Sequence, residues 1–192
     1  MKLHRGRGPD VRASCADWVG TRSTAMPADL DGEDDGLRRE RHTTLLTGPR
    51  ASSAADRFAA ARAELLAGRF FPGWFATTVV CGEGQLAVGA TVLQRLHIGP
   101  VLSIDAPVRV VELVDQPQRV AITLVTVHGH PERGVERYDL QIVGDRTSLT
   151  VVKAWELADW LLRLGFPAAL VVQRYATRLS LRRFRDAGWQ RL

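Results

Sequence analysis

Two histidines and a glutamate lie close together in the string Thr126-Val-His-Gly-His-Pro-Glu-Arg-Gly-Val-Glu-Arg-Tyr138, between two strand-like runs. Glu136 is in register with Tyr138, Leu140 and Ile142, so in a strand its carboxylate shares the apolar face. A carboxylate there has two readings. It is an ion-pair partner for an arginine such as Arg95 or Arg109, or it sits at a cavity mouth where apolar surroundings raise its pKa for acid–base work. His128 and His130 are two residues apart, a spacing found in metal sites, with Glu136 as a third ligand. Gly129 and Pro131 make a turn the simpler explanation, and no metal is expected. His130 is expected to hold the turn by hydrogen bonding, with a catalytic imidazole, at His130 or His128, as the alternative.

Around this string, Trp155, Trp160, Trp74, Phe70 and Phe71 either fill a core or line an apolar pocket. Tyr138, Trp155, Trp74, Arg95, Arg109 and Thr126 are the candidate ligand contacts. No phosphate-binding loop, dinucleotide fingerprint or Ser-His-Asp order occurs, so no organic cofactor is expected.

These residues need elements to position them. Residues 1–36 are rich in Gly, Pro, Ser, Asp and Arg and read as an irregular or disordered extension. A single domain is expected over 37–187. Arg38 to Thr47 reads as a strand. Ser52 or Ser53 can cap a helix to about Ala67, with Gly68 as its stop. Strand-like runs follow at Phe75–Val80, Leu86–Ile98, Val101–Val114, Arg119–His128, Val135–Val143 and Thr147–Trp155. Breaks this short imply antiparallel neighbours, because parallel pairing needs long crossovers. Glu156 to Leu164 reads as a short helix ending at Gly165, and Pro167 opens a longer one to about Asp186, with Val172, Ala176 and Leu179 buried. The fold class is α+β: a curved antiparallel sheet of six to seven strands wrapped on a long C-terminal helix, which leaves a cavity between them. That arrangement is helix-grip-like, as in lipid-transfer and polyketide-cyclase proteins.

Charge narrows the partners. The net charge is +5, and residues 163–192 carry seven arginines against one acid. Arg174, Arg178 and Arg182 are spaced to form one stripe on a helix. The stripe is a solvated face, or a docking face for an acidic carrier protein, a nucleotide or an anionic membrane. Nothing resembles a sequence-specific nucleic-acid reader. No apolar run approaches the ~20 residues that span a bilayer, and no secretory signal is evident, so a cytoplasmic protein is expected. The two cysteines, Cys15 and Cys81, are too few for a disulfide framework. Abundant Arg and Ala with only Lys2 and Lys153 as lysines fit a high-GC bacterial genome.

From Trp18-Val-Gly-Thr-Arg22 to about residue 185, the chain resembles the bacterial and plant family called domain of unknown function 1990. The resemblance rests on Phe58-Ala-Ala-Ala61, on Thr126, Gly129, His130, Pro131, Gly134, Glu136 and Tyr138, and on Ala158, Gly165, Pro167 and Gln173. The chain departs from the family's pattern at Val125, at Val135 and at Trp155-Glu156-Leu157, which marks a divergent member. Three functions stay open. The first is binding of a hydrophobic small molecule in the sheet–helix cavity, in a lipid or specialised-metabolite pathway. The second is a cofactor-independent cyclase, dehydratase or isomerase using Glu136 with a histidine. The third is an interaction module that docks an acidic partner through the arginine stripe.

Overall fold

Short turns between β-rich runs leave successive strands no choice but antiparallel pairing, and the described residues follow that rule throughout. The computed structural model describes residues 2–30, 36–47, 52–82, 84–158 and 166–186. The strands are β1 (Lys2–Arg5), β2 (Arg38–Leu45), β3 (Ala76–Val80), β4 (Thr91–Ile98), β5 (Leu102–Gln116), β6 (Arg119–Thr126), β7 (Glu132–Val143) and β8 (Arg146–Leu157). They form one sheet in the order β2-β8-β7-β6-β5-β4-β3, with β1 added on β5. A register shift between Val110 and Glu112 lets the sheet bend there.

Two α-helices are described, α1 (Ala54–Leu66) and α2 (Phe166–Asp186). Ser53 starts α1 with a reciprocal cap: its Oγ accepts from the Asp56 amide at 3.1 Å, and the Asp56 carboxylate accepts from the Ser53 amide at 2.9 Å. The main core lies between both helices and the inner sheet face. Phe58 and Leu65 of α1 meet Tyr138, Leu140, Leu149 and Val151 of the sheet and Leu179 and Phe184 of α2.

The N-terminal expectation is corrected. Residues 2–30 are part of the fold. β1 pairs with β5, and Cys15 is disulfide-bonded to Cys81 with their Cα atoms 5.4 Å apart. Val11, Cys15 and Trp18 pack on Leu93, while Ala25 and Leu37 pack on Val125, Val135 and Ala154. These sheet residues point away from the main core, so the segment covers the outer face, which would otherwise expose apolar side chains to water. Its composition hid this, because a segment that lies on another surface needs few apolar residues of its own.

Several boundaries also move: β4 starts at Thr91 instead of Leu86, and β6 ends at Thr126 instead of His128. β7 starts at Glu132 instead of Val135, and β8 continues through Glu156 and Leu157, where a helix was expected. The reason is mutual pairing: Glu132 stands opposite Leu157 and Arg133 opposite Glu156. Ala158 is irregular, and residues 159–165 of that expected helix, with Trp160 and Gly165, lie outside the described residues.

Candidate functional site

The sheet's alternation decides which polar groups meet inside. Glu132, Gly134, Glu136 and Tyr138 alternate with outward residues along β7, and Val151, Lys153 and Trp155 do so along β8. Glu136 and Lys153 are directly opposed across the two strands, and Lys153 Nζ lies 2.7 Å from Glu136 Oε1. From above, Gln173 of α2 bridges the group. Its amide nitrogen donates to Glu132 Oε2, and its carbonyl oxygen lies 3.5 Å from Lys153 Nζ.

This cluster forms one side of a cavity of about 90 Å³ between the sheet and α2. Leu96, Ala106, Val108 and Leu124 supply an apolar wall from β4, β5 and β6, and Val172 and Ala176 supply one from α2. Gln94, Thr126, His130 and Trp155 also line it. Among the described residues, Gln94 Nε2 and Trp155 Nε1 are buried donors with no hydrogen-bond partner.

Burial sets the protonation states. It pushes Glu132 up to about 7, restrained by Lys153 and the Gln173 bond and reinforced by the carboxylates of Glu136 and Glu40. It pushes His130 down to about 3, against the opposing pull of the Glu132 carbonyl. The imidazole is therefore neutral at physiological pH. Its Nδ1 lies 2.9 Å from the Glu132 amide nitrogen and 3.0 Å from the Glu132 carbonyl oxygen, so the ring is held by the backbone of the residue it precedes by two. Burial, with Glu136 nearby, raises the Tyr138 hydroxyl well above its ordinary range.

The two motif glycines have steric causes. Gly129 has φ +93°, and a Cβ there would lie 2.6 Å from the Trp18 ring. A Cβ on Gly134 would lie 2.5 Å from the Ala154 carbonyl oxygen and 2.8 Å from Trp155 Cβ. Thr126 Oγ1 accepts from the Gly134 amide at 2.9 Å and donates to its carbonyl at 3.2 Å, fixing the start of β7 against the end of β6. Much of the histidine string thus shapes the backbone that presents Glu132 and Glu136.

Sequence reasoning placed Glu136, His130, Thr126 and Trp155, and all four line the cavity. Tyr138 lies beneath it, fully buried against Phe70 at 4.8 Å and Phe184 at 6.4 Å between ring centres. His128 is exposed and does not converge with His130. Arg95 is a correction. It lies on the outer face, fully buried, its Nε donating to Asp105 Oδ1 at 2.6 Å and its Nη2 to Ser14 Oγ at 2.9 Å. Burial alone would raise Asp105, but the bonds from Arg95 and His4 hold it low. Arg109 alternates with the cavity-lining Val108 and stands opposite outward-facing Val125, so it too leaves the cavity. Trp74 is 64% exposed and borders an outer groove with Arg7, Thr77 and His97. Arg174, Arg178 and Arg182 are exposed, the first two beside Glu40, Arg41 and His42 of β2.

Glu132, Lys153 and Gln94 escaped sequence reasoning. Glu132 keeps the same alternation as Glu136, and Lys153 keeps that of Trp155. The Glu132 signal appears once β7 is drawn at its true length, while Lys153 lay within the expected strand Thr147–Trp155 from the start.

The chain belongs to the family described as domain of unknown function (DUF1990), which matches residues 20–183. Solved structures share its fold. A hypothetical protein, jhp0584, from Helicobacter pylori is 9% identical, with a TM-score of 0.54 over 83% of this chain and 94% of that one. The Zhui aromatase/cyclase from Streptomyces sp. R1128 is 15% identical, with a TM-score of 0.50 over 78% and 94%. Ara h 8.0201 is 10% identical, with a TM-score of 0.50 over 80% and 98%. These similarities place the chain in the helix-grip fold. No curated protein matches it. No described helix is long and apolar enough to cross a membrane.

Proposed function

We propose that this member of the family binds a small, mostly apolar molecule in the cavity between the sheet and α2. The observation that carries the reading is the cavity itself, with apolar walls that end on the Glu132–Gln173–Lys153–Glu136 cluster. At about 90 Å³ it is well below the ~300–1,000 Å³ of pockets that enclose drug-sized ligands. The enclosed part of the ligand is therefore a single ring or a short chain, and anything longer extends outside.

A second reading has its own support. Glu132 titrates at about 7, which suits a group that must both take and return a proton. Glu136, by contrast, is tied to Lys153 and His130 is held neutral, so the acid–base role passes from those two to Glu132. On this reading the protein removes a proton from a carbon of the ligand and returns it elsewhere, as a cyclase, dehydratase or isomerase does. The aromatase/cyclase among the fold relatives supports the frame alone at its identity.

We also keep the expectation of a bacterial cytoplasmic protein, with one observation against it. Disulfides such as Cys15–Cys81 are rare in reducing compartments. Differential alkylation in cells decides: a reduced pair fits the cytoplasm, an oxidised pair an oxidising compartment. The arginine stripe gains no further support as a docking face.

Native mass spectrometry of the purified protein, followed by denaturing extraction, tests the main reading. A stoichiometric apolar passenger is expected. A bare chain that also ignores polyketide, terpenoid and lipid panels would contradict it. With a substrate in hand, Glu132→Gln should lower kcat by about 10²–10⁴ while binding persists. Binding lost in step with turnover would make Glu132 a binding contact and remove its acid–base role.

A further inference from the structure

Two of the cavity's side chains carry donors with nothing to donate to. Gln94 is 6% exposed and Trp155 is 3% exposed, and both line the cavity. Gln94 Nε2 and Trp155 Nε1 find no acceptor among the described residues. A buried donor left unpaired costs about 1–3 kcal/mol, so a fold rarely keeps two around one space without use. Every other polar side chain of that lining named above is engaged. Thr126 is tied to Gly134, His130 to the Glu132 backbone, Glu132 to Gln173, and Lys153 to Glu136.

Resting on the binding reading above, we propose that the cavity selects a neutral carbonyl compound, with Gln94 and Trp155 donating to its oxygen acceptors. Charge removes the anionic alternative. Lys153, the one ammonium in the lining, is already paired with Glu136 and has Glu132 beside it, so a carboxylate or phosphate entering here finds no uncompensated cation to offset its desolvation. A ketone, aldehyde or quinone carries the acceptor without the charge. Gln94 sits on β4 and Trp155 on β8, on opposite sides of the intervening strands, so a ligand that satisfies both carries acceptors at two ends. A one-ring ketone reaches one of them at a time.

The test uses two ligands of nearly the same shape, cyclohexanone and methylenecyclohexane, which differ by C=O against C=CH₂. Both are titrated into the intact ¹⁵N-labelled protein, watching the Trp155 indole and Gln94 amide N–H signals. The ketone should move at least one of these signals downfield, and the alkene should leave the donors unbonded. The alkene enjoys the larger hydrophobic drive from water, so the comparison is the ketone-to-alkene affinity ratio. That ratio should fall about tenfold in Gln94→Leu or Trp155→Phe, whichever signal the ketone moved, while alkene binding persists. Retained alkene binding also shows that the variant is folded. An unchanged ratio, with both compounds bound in the cavity, overturns the carbonyl preference and leaves the binding reading intact. If neither compound binds the wild type, both fall.

Discussion

Glu136 and Lys153 face each other directly across β7 and β8, with Oε1 and Nζ 2.7 Å apart and side chains 19% and 6% exposed. A pair this buried is held less by its net attraction than by the cost of leaving either charge alone. Lys153→Met should destabilise the protein by about 3–5 kcal/mol in urea unfolding. The double variant Glu136→Leu/Lys153→Met should recover most of that loss. Equal losses in single and double variants would show that the charges are not coupled.

The pH dependence of stability has two opposed contributions. Glu132 is raised from 4.5 to about 7, so the native state holds its proton more tightly, and its contribution to stability is lost as pH rises through that window. His130 is lowered from 6.5 to about 3, so its contribution is present above 6.5 and lost as pH falls. Between about 4.5 and 6.5 the two oppose each other. Glu132→Gln should therefore leave the His130 contribution unopposed, so that stability rises between about pH 5 and 6.5, where that of the parent changes little, and no longer falls toward pH 8, as read by urea midpoints. A variant with the wild-type slope would place Glu132 in a solvated setting.

Gly134 predicts a packing defect. A methyl group there meets the Ala154 carbonyl and Trp155, neither of which has a flexible end to move. Gly134→Ala should cost about 1–3 kcal/mol and shift the Trp155 indole signal. Unchanged stability and an unchanged indole signal would mean that β7 and β8 are less closely apposed.

The N-terminal segment predicts a long-range effect. The Cys15–Cys81 bridge, the bond from Arg95 to Ser14 and the contact of His4 with Asp105 fasten it to the outer sheet face. Cys15→Ser should lower stability by about 2–4 kcal/mol and open residues 2–18 to protease. Resistance to cleavage with wild-type stability would show that the segment is held by packing alone.

How far the chain was legible follows from which signals are local. The cap at Ser53, the strand alternation of β5 to β8 and the spacing that buries Ala176 and Leu179 on α2 are set by neighbours in sequence and were readable, whereas Val172, expected to be buried with them, is 41% exposed at the cavity rim. The outer face was not readable. Arg95 looked like a partner for Glu136 because nothing local reveals that residues 2–30 lie over β4 and β5 and bring Ser14 and His4 to it. Glu132 was missed for a related reason. Arg133 and Gly134 read as turn residues, and only pairing with Leu157 and Glu156 extends β7 back to Glu132. The histidine turn drew attention to the right place, while the groups with chemistry to offer sit one strand residue and one strand away.

The cavity under α2 is largely apolar. Diffraction from crystals pressurised with xenon tests it most directly, since apolar cavities take up that atom. A xenon peak is expected among Leu96, Ala106, Val108, Leu124 and Ala176. A cavity with no peak, or peaks confined to the outer face near Trp74, would contradict it.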